Sequence, residues 1–544
     1  ATGPVTAELW RSYALVDGQG GQDALWNIEG LIGSAFNDLL AGGNGAESFI
    51  GGAGNDGMYA GGGNDTLYGG VGNDTMDGGN GFDIVSYAAA TSGVTAELWR
   101  SFALNDGQGG QDALWNIEGL IGSAQNDLLA GSANGEMFDG GAGNDGIYSA
   151  GGNDTLIGGA GNDTLDGGAA NDTVDYSGAA GPVTAELWRS FALNDGQGGQ
   201  DALWNIENLI GSGFNDLLAG GANAESFVGG AGNDGIYAAG GNDTLTGGLG
   251  NDTLDGGAAF DTVDYSGATG PVTAELWRSF ALNDGQGGQD ALWNIEAVIG
   301  SGFNDLLAGG NNAELLVGGA GNDGLYAAGG NDTLVGGAGN DTLDGGAAED
   351  FADYSAATGP VTAILWRSLA TADGFGGQDA LWNIEHVLGS AQADLLAGTE
   401  GANTLLGQGG NDQIFGGGGN DRMDGGAGLD TLNGAAGSDV FVFSTALGAG
   451  NVDTIQDFSV VDDSVELSAG VFAALGGAGT LAAGKLRAGA GVTTAADADD
   501  FLLYNSTTGA LYYDADANGG AQSPVQFAVL GTGLALTNLD FVVA

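Results

Sequence analysis

The chain has 544 residues, 70 of them acidic and 8 basic, for a formal charge of −62 at pH 7, with no cysteine, a single histidine and 114 glycines. So acidic a surface repels nucleic acid and anionic membranes, and the missing cysteine excludes disulfides, thiolate chemistry and Cys-bound zinc. Hydrophobic residues still make up 42%, with 10 Trp, 13 Tyr and 21 Phe, so a core is available and the like charges call for bound counter-ions rather than disorder.

The opening string ATGPVTAELW recurs at 268–277, and there is no initiator Met and no N-terminal signal peptide, which points to a chain cut from something longer. No apolar run is long enough to span a bilayer. The motif ELWRS, or ILWRS, places Trp at 10, 99, 188, 277 and 366, and ALWNIE places a second set at 26, 115, 204, 293 and 382. Both series repeat every 89 residues. The expected organisation is therefore a translational array of five blocks, 1–86, 87–175, 176–264, 265–353 and 354–443, followed by a distinct region at 444–544.

Each block contains a second period of nine. In the first, frames start at 33, 42, 51, 60, 69 and 78. Their sixth position is acidic (Asp38, Glu47, Asp56, Asp65, Asp74, Asp83) and their eighth apolar (Leu40, Phe49, Met58, Leu67, Met76, Val85). Later blocks keep the register with Asp127, Asp145, Asp154, Asp163 and Asp172; Asp216, Asp234, Asp243, Asp252 and Asp261; Asp305, Asp323, Asp332, Asp341 and Asp350; and Asp394, Asp412, Asp421, Asp430 and Asp439. Glu47, Glu136, Glu225 and Glu314 put a longer acid in one frame of each of the first four blocks, and Asn403 a neutral residue in the fifth.

The last three residues of a frame suit a very short strand with its middle side chain inward. The glycines before them allow a sharp turn at positive φ. Two frames would make one coil, and coils would stack at roughly 4.8 Å. Such turns aim carbonyls and an Asp oxygen from successive coils into one space, as a calcium ion with six or more oxygen ligands requires.

This pattern resembles the RTX family over about 30–443, with GGAGND recurring in one register. The resemblance implies an all-β parallel β-roll that binds many calcium ions. Its ligands would be the sixth-position aspartates above and the loop carbonyls. Those carbonyls fall on Gly52, Gly54, Gly61, Gly63, Gly70, Gly72, Gly79 and Gly81; Gly141, Gly143, Gly152, Gly159 and Gly161; Gly230, Gly232, Gly241, Gly248 and Gly250; Gly319, Gly321, Gly330, Gly337 and Gly339; and Gly410, Gly417, Gly419, Gly426 and Gly428.

About 35 residues per block lie outside the frames, such as 176–210. They read as coils with longer turns, in which Val183, Ala185 and Leu187 alternate as a strand, NDGQGGQD turns, Ile206 and Ile210 enter the core, and Glu207 takes the acidic position. Arg11, Arg100, Arg189, Arg278 and Arg367 follow Trp10, Trp99, Trp188, Trp277 and Trp366. One reading packs each Trp into a wider coil while the Arg pairs with an acid. The other makes each pair a surface contact patch, repeating about every 24 Å if a block is roughly five coils.

His386 stands where other blocks have Gly30, Gly119, Asn208 and Ala297, which reads as a solvated turn. No H-E-x-x-H, G-x-S-x-G or phosphate-loop motif is present, so no enzyme activity is expected of these residues. Residues 444–544, with NVDTIQDFSVVDDSVELS and the tail Asp540 to Ala544, resemble the C-terminal cap and secretion domain of RTX proteins, which implies export by a type I transporter. The expected function is a secreted, cell-surface structural repeat, such as a surface-layer, filament or adhesin-stalk subunit that self-associates. The alternative is the C-terminal module of a secreted protease, lipase or epimerase whose catalytic domain lies upstream.

Overall fold

The computed structural model describes residues 1–544. The chain divides into two compact units, residues 1–263 with 287–295 and residues 264–286 with 296–544.

In the first unit, successive nonapeptides alternate between two parallel sheets, so each strand pairs with the one 18 residues on. Phe49 lies opposite Leu67 and Leu67 opposite Val85 in one sheet, while Leu40 lies opposite Met58 and Met58 opposite Met76 in the other. The eighth-position side chains of all six frames are 0% exposed and fill the space between the sheets. Three-residue strands such as Thr155–Ile157 and Thr164–Asp166 are enough, because each is held by neighbours on both sides. The turn between them requires glycine: Gly159 and Gly161 sit at φ +91° and +146°, where a side chain would be strained.

The segment between nonapeptide runs departs from expectation. It folds back on itself instead of circling. In the second block Thr95–Glu97 pairs antiparallel with Phe102–Asn105, which pairs antiparallel with Asp112–Trp115. The first reversal is a 3-10 turn, Leu98–Arg100, closed by Ser101 in the left-handed region at φ 55°. The second is the expected turn at NDGQGG. The meander stays within one sheet, since Leu114 stacks on Met76 and Ala96 on Leu129. Within 176–210, Val183 and Ala185 are buried and Ile206 is nearly so. Ile210 faces outward instead and Leu209 takes the core position, because the inward residue is the eighth of its frame.

The second unit repeats these devices. Val298, Leu316 and Leu334 line one sheet, Leu307, Leu325 and Leu343 the other, and Val361–Ile364 begins the antiparallel insert of the fifth block. Past Asp439 the stack continues without the glycine code: Phe441 pairs with Val465, and Val465 with Phe541. An antiparallel sheet of Leu502–Asn505, Ala510–Tyr513 and Val525–Val529 packs beside it, and Phe443, Phe472, Tyr513 and Phe527 meet edge to face with centroids 5.0–5.1 Å apart. Arg422 closes the region with a two-pronged contact to Glu466 at 2.6 and 2.8 Å. The terminal strand Phe541–Val543 is docked, with Phe541 fully buried.

Candidate metal centre

The sixth-position acids form hydrogen-bonded ladders along the stacked turns. The backbone N–H of each donates to one carboxylate oxygen of the acid a coil ahead: Asp38 to Asp56 at 2.7 Å, Asp56 to Asp74 at 2.8 Å, and Asp145 to Asp163 at 2.8 Å. These carboxylates are almost wholly removed from water, at 0–5% exposure for Asp56, Asp83, Asp127, Asp163 and Asp172. For most of them the other oxygen has no partner. Oδ2 of Asp56, Asp65, Asp74, Asp83, Asp145, Asp154, Asp163 and Asp172 is buried and unbonded, as are those of Asp234, Asp243, Asp323, Asp332, Asp341, Asp350, Asp412, Asp421 and Asp430.

A buried carboxylate oxygen without a donor is unfavourable, and burial drives the acids toward protonation. It pushes Asp163 up to about 6, Asp145, Asp172, Asp234 and Asp323 to about 7, and Asp412 to about 8. Acids in neighbouring coils add to the effect, as Asp163 does for Asp145. The missing partner is therefore positive and oxygen-seeking. Carbonyls are close at hand: a methyl group on Gly161 would overlap the Gly143 carbonyl oxygen. Carbonyls plus one carboxylate oxygen per coil fit a hard divalent cation, and no group of three acidic or imidazole side chains forms a metal cage by itself.

The expected ligands fall into distinct groups. Asp127 already has its oxygens satisfied, by the Ser123 N–H and hydroxyl (Oγ to Oδ1 2.9 Å) and by the Val94 N–H at 2.6 Å. Asp38, Asp216, Asp305 and Asp394 are held the same way by Ser34, Ser212, Ser301 and Ser390. The longer Glu136 and Glu225 fold back to accept from Ser132 and Gly221 of their own turns. Asn403 accepts from Thr399 at 2.6 Å and donates to the Glu385 carbonyl at 2.7 Å, so its neutral side chain is satisfied.

Other acids join the ladders unannounced by the nonapeptide pattern. Asp74 donates to Asp112 and Asp163 to Asp201 across 38 residues, because GQGGQD at 107–112 stacks as a degenerate frame. The hydroxyls of the wholly buried Tyr87, Tyr176 and Tyr354 donate to Asp112, Asp201 and Asp379 at 3.0–3.1 Å. Asp83 donates to Glu118, and past the glycine code Asp430 donates to Asp453 and Asp439 to Asp463. An acid five residues after a glycine and two before an inward Leu was the legible signal at Asp112.

The Trp–Arg pairs are at the surface. Trp10, Trp99, Trp188, Trp277 and Trp366 are 57–61% exposed, and each carries its Arg guanidinium 4.3–4.5 Å above the ring. In four blocks the Arg also pairs with the Glu three residues before it, at 3.0–3.1 Å; in the fifth that residue is Ile364. Packing of each Trp into a wider coil therefore does not hold, although the Arg–acid pairing expected with it is present in four blocks. The second Trp series is exposed too, at the ninth position of its degenerate frame.

His386 corrects the expectation of a solvated turn. It lies on strand His386–Leu388, 6% exposed, its ring 4.6 Å from that of Phe351 and its Nδ1 accepting from Thr404 N at 2.8 Å. Phe351 occupies the facing seventh position and covers it, and no other imidazole or thiol is available to build a site.

The RTX calcium-binding nonapeptide repeat family matches at residues 31–58, 58–85, 120–147, 148–179, 201–236, 228–263, 290–325, 326–356, 388–423 and 416–443. No curated protein matches the chain. Among solved structures, a subunit of the Azotobacter vinelandii mannuronan C5-epimerase is 29% identical, covering 28% of this chain and 79% of its own, with a TM-score of 0.20. The extracellular lipase of Serratia marcescens is 17% identical, covering 46% of this chain and 40% of its own, with a TM-score of 0.16. The family matches span more than half of the sequence, in the register that the buried acids define, and the chain belongs to the RTX calcium-binding nonapeptide repeat family.

Proposed function

We propose that this chain is an extracellular structural repeat that folds on calcium after type I secretion and then assembles through its Trp–Arg pairs into a surface layer, filament or adhesin stalk. The calcium ligands in this reading are the sixth-position aspartates with an unpartnered oxygen, such as Asp56, Asp65, Asp163 and Asp341, with the carbonyls of their glycine turns. Bound calcium supplies the positive charge those oxygens lack. Residues 444–544 cover the end of the stack, and the tail Asp540 to Ala544 serves as the uncleaved export signal.

The observation that carries the assembly is the same exposed Trp–Arg stack on all five blocks. A folding aid for an upstream enzyme has no need of it. Aromatic and Arg side chains are enriched where proteins meet, and a surface cation–π pair contributes only about 0.5–1 kcal/mol to its own fold. Repeated weak contacts add through avidity, and calcium lowers the charge that keeps copies apart.

Sedimentation and electron microscopy in millimolar calcium test this with Trp99, Trp188 and Trp277 all replaced by Ala. The variant should keep its β structure and lose assembly. A wild-type chain that stays monomeric at high concentration in calcium removes the assembly reading in favour of the enzyme-module alternative.

A further inference from the structure

The second reversal of each insert holds an aspartate outside the nonapeptide frames. Asp106, Asp195 and Asp373 are each 0% exposed. Oδ1 of Asp106 accepts the N–H of Gln108 and Gly110 at 2.7 and 2.8 Å, and Asp195 holds Gln197 and Gly199 at the same distances. Asp373 holds Phe375 and Gly377, both at 2.8 Å. These bonds account for the turn. They use one oxygen, and Oδ2 of all three is buried without a partner.

The glycine that ends each turn shows where that oxygen points. A methyl group on Gly110 would overlap the carbonyl oxygen of Gly72, from the preceding coil, and would lie 2.6 Å from Asp106 Oδ2. Gly199 stands likewise between the Gly161 carbonyl and Asp195 Oδ2, and Gly377 between the Gly339 carbonyl and Asp373 Oδ2, each 2.7 Å from the carboxylate. The unpartnered oxygen is aimed into the slot between the insert and the turn before it. Asp74, whose own Oδ2 is unpartnered, borders that slot in the second block and holds Asp112 through its N–H. The first block provides a contrast. Asp17 makes the same bonds to Gln19 and Gly21, at 2.7 and 2.9 Å, yet it is only half-buried and has no orphaned oxygen.

We infer that Asp106, Asp195 and Asp373 belong to a second class of calcium site, one in the insert of each of the second, third and fifth blocks, in which a carboxylate from the hairpin joins the carbonyl and carboxylate of the coil turns. This rests on the calcium reading proposed above and goes beyond the repeat family, whose matches leave out residues 86–119, 180–200 and 357–387. The number of charged ligands sets calcium affinity, so the added carboxylate makes these sites at least tenfold tighter than those of the nonapeptide turns. They fill first, and they pin each antiparallel insert to the roll before the remaining coils are loaded.

Calorimetric titration of the full chain with calcium tests the inference. Asp106→Asn, Asp195→Asn and Asp373→Asn are combined, and Asp17→Asn serves as the control. Asparagine keeps the oxygen that accepts the turn N–H groups and replaces Oδ2 with a donor. The wild type should show a tight class that the combined variant loses or binds at least tenfold more weakly, while the weaker class, the calcium-induced β signal and the control are unchanged. Asp106→Asn alone should remove one tight equivalent, which keeps the test decisive if the combined variant folds poorly. A tight class unaltered in both variants overturns the inference and leaves the nonapeptide sites standing. Absence of calcium binding in the wild type overturns both.

Discussion

Asp163→Asn should change stability in opposite directions with and without calcium. The wild-type carboxylate is 2% exposed, accepts the Asp145 N–H at 2.8 Å through Oδ1, and has no partner at Oδ2. Its pKa rises from 3.8 to about 6, chiefly by desolvation. A shift of that size corresponds to roughly 3 kcal/mol of unfavourable charge, reduced to about 1–2 kcal/mol because relaxation of the turn around the charge offsets part of the desolvation cost. Asparagine keeps the Oδ1 acceptor and removes the charge, so in excess chelator the variant roll should be about 1–2 kcal/mol more stable. In calcium the same change removes a charged ligand and aims an amide N–H₂ at the ion, and a ten- to hundredfold local loss of affinity is about 1.4–2.7 kcal/mol in the other direction. Circular dichroism reads both arms: β structure induced by a stabilising osmolyte in chelator, and thermal unfolding in millimolar calcium. Destabilisation in both arms would show that the chain itself satisfies Oδ2, and the argument from orphaned oxygens would fail.

Four further outcomes follow from the same geometry. At neutral pH the chelated chain should be expanded and should gain β structure on addition of millimolar calcium; a strong β spectrum persisting in excess chelator at pH 7.5 refutes this. The folded-state pKa values of Asp112, Asp201 and Asp379, about 7, and of Asp412, about 8, stand above the ordinary 3.8. The metal-free roll therefore takes up protons as it folds, is most stable below about pH 4, and loses that stability as pH rises through about 7–8. Acidification from pH 7.5 to 5 should raise β content in chelator and raise the calcium midpoint, and a fall in chelated β content refutes the sign. Gly161→Ala should destabilise the roll by about 1–3 kcal/mol from its φ of +146° alone, with added loss where the methyl meets the Gly143 carbonyl, whereas Gly178→Ala, which has open space, should not; equal calcium-dependent melting of the two refutes this. Removing Asp540 to Ala544 should leave calcium-driven folding of 1–443 intact while stopping export, and normal secretion of the shortened chain overturns the assignment of the tail.

Much of the fold was legible because one inward residue per nine is a strong signal. Leu40, Phe49, Met58 and Leu67 are at zero exposure where the period places them. The same period identified the acids, though not which of them keep a free oxygen. That depends on the hydrogen bonds within the turn: the Ser123 N–H donates to Oδ2 of Asp127 and its hydroxyl to Oδ1, while no group of the glycine turn ending in Asp163 reaches Oδ2. The inserts were misread as coils because their first reversal hangs on one left-handed serine, Ser101, which carries no glycine to announce it. His386 was placed in solvent because its position accepts several residue types, yet tolerance at a seventh position reflects the residue facing it, and Phe351 covers the ring.

The tryptophans show where sequence and structure must be read together. Trp is ordinarily a core or interface residue, and here all ten are more than half exposed. The inward positions of the strands take one Leu, Ile, Val, Met, Phe or Ala each, and the inserts bury alanines such as Ala96 and Ala103 together with Tyr87, Tyr176 and Tyr354, but no Trp. The ten Trp point outward instead, at a hydrophobic cost to solubility that the −62 charge offsets. The same arrangement on five blocks, with five of the eight basic residues stacked on the rings, supports the proposed contact with another surface, since an exposed cation–π pair adds only about 0.5–1 kcal/mol to the roll. In the proposed reading, calcium makes the scaffold and the Trp–Arg pairs are what the scaffold presents.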